Sequence, residues 1–353
     1  MKDIGEGTIR RIDWTELTPV VLLLRVFSVA LGLRVLAIAL LGLWLTVMLN
    51  SLAGILFLDQ GWPKPDHWEI PQLNVPLDIF QSIWQTTLSI RQSPILLLWL
   101  PGFILIWSLC GGVICRIVAV RLTVNESEST VNLLRFIRKR GIGFVSSIII
   151  LSLGIFCCFL PLKITGWLMA VPVLNYVIAI LFPIPLLFAF LTVVLALGLA
   201  VGWMLLFAAV STDGSDGFDA ISRMFSYIFQ RPLHYVLYWI CCGVLGWLGF
   251  LLVQFLTYAT IHLCWNVTLD NHDFLVSFWL TIVLSLPVAY AFAWFWTSSI
   301  AIYLLLRRSV DATPFSEVYR VAPPKMRTLP TIKQDERGAP EIKQTEPQVA
   351  DTV

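Results

Sequence analysis

The chain has 353 residues, of which 58% are hydrophobic and 13% charged. Soluble domains carry about 25% charged residues, so this composition, with a mean hydropathy of +0.82, excludes an ordinary soluble globular protein and defines a membrane protein. With 24 basic against 22 acidic residues the net charge is only +2, which gives no footing for a nucleic-acid partner.

The chain opens on a polar arm, Met1-Lys2-Asp3-Ile4-Gly5-Glu6, without the immediate apolar run of a cleavable signal. Residues 14–30 predict an amphipathic helix lying in the membrane interface, with Thr15 and Glu16 at its start. Residues 1–32 are thus read as a cytoplasmic arm and interfacial helix. Residues 33–306 form the next unit, a membrane domain of six spans. The first span, 33–58, is long enough to cross a hydrocarbon core of about 30 Å. The loop 59–93 begins irregularly, with Pro63, Pro65, Pro71 and Pro76. It continues as a helix with Leu77, Phe80, Trp84 and Leu88 on one face, placed on the outer interface beside Trp62 and Trp68.

The second span is read at 94–122, the cytoplasmic loop at 123–141 and the third span at 142–162. The apolar stretch 161–185 is broken by Gly166, Pro172, Asn175, Pro183 and Pro185, which suits a re-entrant or interfacial segment. The fourth span is read at 185–210, the fifth at 233–263, a polar turn at 265–273 and the sixth span at 274–306. Arg307 and Arg308 anchor the last helix end, and residues 311–319 suggest one more short helix. The remainder of the cytoplasmic tail, from about 321, is rich in Pro, Lys, Glu and Gln and is expected to be disordered.

One polar island, residues 211–232, separates the fourth and fifth spans. Asp213, Gly214, Ser215, Asp216, Gly217 and Asp219 favour a turn and then a helix start. Phe218, Ile221, Phe225 and Ile228 then form one apolar stripe at helical spacing. The island has two echoes. Leu24-Arg25-Val26, Leu134-Arg135-Phe136 and Ser222-Arg223-Met224 each set an arginine in an apolar cluster shortly before a span. The pattern suggests three units, each an interfacial helix leading into a hairpin of spans.

With a cytoplasmic N-terminus, the outer connections hold only Lys64, Arg91 and Lys163 among the basic residues. The excess of Lys and Arg on the other side sets that orientation, both termini cytoplasmic. No Asp, Glu or Lys lies deep in an apolar run, which argues against an ion-coupled carrier. Arg116 is close enough to the inner end of its span to be expected to snorkel. Seven cysteines form no CxxC set. The loose groups His262, Cys264, His272, Asp273 and Asp66, His67, Glu69 match no metal-ligand spacing. GxSxG, Walker A and HExxH patterns are absent. Neither a metal, a cofactor nor an enzymatic activity is therefore expected.

Two stretches, DGFDAISRMFSYIFQRPLHY and LLLRRSVDATPFSEVY, resemble segments of bacterial multi-pass membrane proteins. Those proteins are loosely similar to the membrane domain beside glycerophosphodiester phosphodiesterases and to its YciC-like relatives. The resemblance implies a six-span membrane module in a bacterial inner membrane. The phosphodiesterase chemistry of such relatives lies in a separate soluble domain, so no catalytic residue is implied here.

An all-α polytopic bundle with interfacial helices is therefore expected. Its expected function is non-enzymatic, contacting membrane lipids or a partner protein at the cytoplasmic face. Arg25, Arg135, Arg223, Arg231 and His234 would make that contact. The alternative is a transporter of a lipid-like or apolar substrate, routed past the broken segment and the glycine-rich fifth span.

Overall fold

In a computed structural model, residues 21–58, 93–171, 174–268 and 274–320 are described, together with two three-residue strands in the tail. Nine α-helices occupy these residues: α1 (Val21–Ala30), α2 (Leu33–Leu58), α3 (Ser93–Thr123), α4 (Thr130–Met169), α5 (Leu174–Leu181), α6 (Pro183–Asp213), α7 (Gly217–Gln230), α8 (Pro232–Thr268) and α9 (Phe274–Asp311). The polar arm, the first residues of the predicted interfacial helix, the 59–93 loop up to residue 92 and the 269–273 turn fall outside the described residues.

Six helices, α2, α3, α4, α6, α8 and α9, are long and apolar enough to cross a membrane. Their sequences are apolar all round, as lipid-facing helices are. In contrast, α7 is strongly amphipathic. Local chemistry sets the breaks. Ser129 caps α4 by accepting from the Asn132 N–H at 3.3 Å. Gly214, at φ +65°, ends α6 in the left-handed region that glycine adopts without cost. Asp216 caps α7 by accepting from the Asp219 N–H at 2.9 Å. Pro232 opens α8 at the first helical position.

Sequence neighbours pair into hairpins: α2 with α3, α4 with α6, and α8 with α9. The last helix is central, touching α1, α2, α3, α6 and α7 as well as its hairpin mate. Burial is uneven along the bundle. At one end Ile114–Val120 of α3, Met204–Thr212 of α6 and Ile300–Arg307 of α9 lie in a dense core. Toward the other end Phe156, Trp167, Leu187, Phe190, Trp247 and Phe255 are exposed. An apolar surface of that extent is not stable in water, whereas hydrocarbon covers it at no cost. The chain is therefore a multi-pass integral membrane protein.

Several boundaries differ from the sequence reading. The third span does not stop at 162: α4 continues through Pro161 to Met169, with a turn at Ala170, and the eight-residue α5 follows from Leu174. The arginines of the 123–141 loop sit mostly on α4 itself, because Ser129 caps the helix well before the apolar run begins. No helix forms after α9 among the described residues; α9 runs to Asp311 and gives way to irregular chain with a turn at 315–316. The buried face of α7 is Gly217, Ala220, Met224 and Tyr227 rather than the predicted stripe, and Phe218 points outward. The stripe is turned because Gly198 and Gly202 of α6 receive the flank of α7. A Cβ on Gly198 would collide with the Phe225 ring, and one on Gly202 would lie 2.6 Å from Met224 Sδ. The described part of the N-terminal helix buries Leu22, Leu23, Val26, Val29 and Ala30 in the bundle.

The tail from Arg320 forms a separate unit. There β1 (Ile332–Gln334) pairs antiparallel with β2 (Pro340–Ile342), Ile332 opposite Ile342 and Lys333 opposite Glu341. The tail expected to be disordered thus carries one short backbone pairing.

Candidate functional site

Among the described residues of the bundle, every Lys and Arg except Lys163 gathers at the densely packed end, and two sets stand out. The inner set is paired. Arg116 of α3 is buried and donates through Nε and Nη2 to the two carboxylate oxygens of Glu128, at 2.9 and 3.0 Å. Its Nη1 donates to the Ser211 carbonyl at 2.9 Å, and the guanidinium lies 4.3 Å above the Phe136 ring. The expectation that Arg116 snorkels is corrected. The loop before α4 folds Glu128 back over the end of α3, so the charge is neutralised in place and the fork geometry of the guanidinium is satisfied.

A second centre forms around Asp213, the last residue of α6. It accepts from Arg307 Nη1 and Tyr303 OH of α9, and from Arg223 Nη1 of α7 at 2.9 Å. Arg223 Nε also donates to both oxygens of Asp219 at 3.1 Å. Arg307 extends the centre to the chain after α9, donating through Nη2 to the carbonyls of Pro314 at 3.2 Å and Glu317 at 2.7 Å. Alongside, Tyr227 OH donates to Asp311. Burial, and then this carboxylate, push the Tyr227 phenol above its ordinary range.

The segment 312–319 closes the end as a strap. The Tyr319 N–H donates to the Thr212 carbonyl at 2.7 Å. Its ring packs on Gly214, where a Cβ would approach to 2.6 Å, and lies under the Arg140 guanidinium at 5.3 Å. Hydrogen bonding to Arg140 pulls the phenol of Tyr319 below the usual tyrosine range.

The inner set is electrically closed: Arg116 is matched by Glu128, and Arg223 with Arg307 by Asp213 with Asp219. It ties α3, α6, α7 and α9 together and has no net charge to offer a ligand. The outer set is different. Arg34, Arg121, Arg135, Arg138, Lys139 and Arg231 are exposed, and none of them has an ion pair among the described residues.

The residues singled out from sequence are divided between these sets. Arg135 and Arg231 are exposed, with Arg231 capping the end of α7 through its N–H to the Tyr227 carbonyl at 3.2 Å. His234 is exposed and meets Tyr238 edge to face at 6.1 Å. Arg25 is half-buried and donates through Nη2 to Asn125 Oδ1 at 3.0 Å. Arg223 is committed to two carboxylates. Sequence reasoning missed Asp213, Tyr303 and Glu128 as network members. A signal existed, since Tyr303 and Arg307 share a helix face at i, i+4 and Asp213 ends another span at the same end of the bundle.

A groove of about 330 Å³ also lies between α8 and α9, lined by Trp239, Gly243, Gly246, Trp247, Trp294 and Ser298 among others. The loosely spaced His262 group is described only in part, and the His67 group lies outside the described residues.

Comparison with known proteins gives no match: no family model, no curated protein and no solved structure is significantly similar to the chain. The class of the protein therefore rests on its own fold, a polytopic six-span membrane bundle with a basic end.

Proposed function

We propose that the protein is a non-catalytic membrane module whose basic end holds anionic lipid headgroups. The observation that carries the reading is the division of the arginines. The buried ones are each neutralised by carboxylates, while a further six basic residues stand exposed without an ion pair among the described residues. Exposed guanidinium groups at span ends attract anionic lipid by about 1 kcal/mol each. On this reading the basic end is cytoplasmic, the membrane is a bacterial inner membrane, and the chain is a loose relative of YciC-like membrane domains. A partner protein with acidic groups would use the same surface.

The groove between α8 and α9 favours a second reading, a carrier of a lipid-like substrate. Its glycine-rich wall supports that reading, although no described residue of the broken segment lines it.

Native mass spectrometry of the full chain, released from nanodiscs of mixed anionic and zwitterionic lipid, separates the two. The headgroup reading expects anionic lipid to be retained selectively and lost when all six exposed basic residues, Arg34, Arg121, Arg135, Arg138, Lys139 and Arg231, are changed to Gln. A carrier of apolar substrate retains neutral lipid regardless of those charges. Equal retention of both lipids by the unmodified chain defeats the headgroup reading.

A further inference from the structure

We propose that the corner formed by α1, the start of α2 and the end of α3 is a seat for the phosphate of an anionic lipid headgroup. The inference rests on the lipid-binding reading of the basic end and gives it a place. Three arginines from three elements border it. Arg25 of α1 reaches Asn125 Oδ1 at 3.0 Å. Arg34 of α2 reaches the Glu128 carbonyl at 3.1 Å. Arg121 of α3 closes over Gly32, where a Cβ would come to 3.0 Å from its Nη1. The same short loop after α3 receives both donated hydrogen bonds.

The acceptors at this corner are uncharged, an amide oxygen and a backbone carbonyl. That separates these arginines from Arg116, Arg223 and Arg307, which all meet carboxylates. Both oxygens of Glu128 are taken by Arg116, so Glu128 does not neutralise the corner. Setting the exposed Glu126 of the loop against one of the three arginines still leaves two positive charges. Asn125 holds its place in the left-handed region, φ +59°, which asparagine tolerates better than most residues. Each guanidinium has five N–H donors, and one is used here by Arg25 and by Arg34. The remaining donors form the planar forks that match phosphate oxygens.

Position selects the source of the phosphate. Arg34 is the second residue of α2, and Arg121 is the third from the end of α3. Both therefore stand at the ends of spanning helices, where headgroups lie. Arg135 and Arg138 ride instead on the first turns of the 40-residue α4. That helix is about 60 Å long at 1.5 Å per residue, twice the hydrocarbon thickness.

The test uses the full chain in nanodiscs, with phosphatidylglycerol competing against phosphatidylcholine and lipid retention read by native mass spectrometry. Asn125→Asp gives Arg25 a carboxylate without removing a side chain from the fold. It should keep the melting temperature of the parent and weaken phosphatidylglycerol retention about fivefold, the loss of one neutralised charge. Arg25→Gln/Arg34→Gln/Arg121→Gln should weaken it by well over tenfold. Undiminished retention in Asn125→Asp and in the triple variant, alongside loss in Arg135→Gln/Arg138→Gln/Lys139→Gln, overturns this seat and leaves the general reading standing. Loss in none of the variants overturns both. Displacement of phosphatidylglycerol by millimolar inorganic phosphate alone overturns the lipid assignment in favour of free phosphate.

Discussion

Asp213 is the residue on which the packed end depends most. Its side chain is 12% exposed and that of Arg307 3% exposed, so neither charge is solvated well. Removing one member of a buried pair costs roughly 3–5 kcal/mol, because the other is left uncompensated. Asp213→Asn should accordingly lower the melting temperature in mild detergent steeply. Asp219→Asn, at a half-exposed site beside Arg223, should change stability by under about 1 kcal/mol. Asp213→Asn/Arg307→Met should recover part of the loss, since the stranded charge is gone. Equal melting of Asp213→Asn and Asp219→Asn would remove Asp213 from the centre of the network. From sequence, Asp213 reads as one acid among several in a turn. Its distinction is three-dimensional: it alone ends a span opposite Tyr303 and Arg307, a pairing set by how α6 meets α9. Arg116 is a parallel case. Its depth in the span is legible, but the return of Glu128 over it depends on the loop path.

At the scale of elements, span positions are legible because hydrocarbon demands long apolar runs, and α2 matches its predicted limits residue for residue. The chain beyond a span is less legible, because side-chain pairing decides its path. The strap 312–319 is irregular chain rather than a helix since its carbonyls are held by Arg307 and its Tyr319 N–H by Thr212. The strap rests on Gly214, where both backbone and space exclude a side chain. Gly214→Ala costs about 1 kcal/mol for a left-handed alanine and also displaces the Tyr319 ring. The expected outcome is faster proteolytic cleavage within 312–319 while the six spans stay protected. Cleavage at the parent rate would show that the strap does not depend on this contact. The face of α7 departs from its periodicity for a related reason. Spacing marks Phe218 and Phe225 as equivalent, yet only Phe225 has a glycine, Gly198, to pack on.

For the whole molecule, the uneven packing and the uneven charge point the same way. The end that carries the ion-pair network also carries every described Lys and Arg of the bundle except Lys163, which lies far along α4 toward the exposed apolar end. A bundle of three helical hairpins returns the chain to the same side after each pair of spans. The corner at Arg121, the strap and Arg231 should thus share one side of the membrane, with Lys163 on the other. In a chain whose seven cysteines are replaced by serine or alanine, single cysteines at positions 121, 231 and 316 should react with an impermeant maleimide from one face of sealed vesicles. A cysteine at 163 should react only from the opposite face. All three positions are exposed, as is Lys163, so accessibility within the fold does not bias the comparison. Labelling of 163 from the same face as 231 would mean that α4 and α6 enter and leave without crossing. The hairpin they form would then be a re-entrant one, despite helices of 40 and 31 residues. Length argues against that outcome. A helix of 31 residues extends about 46 Å, so folding both members back within one leaflet would leave most of their apolar surface in water.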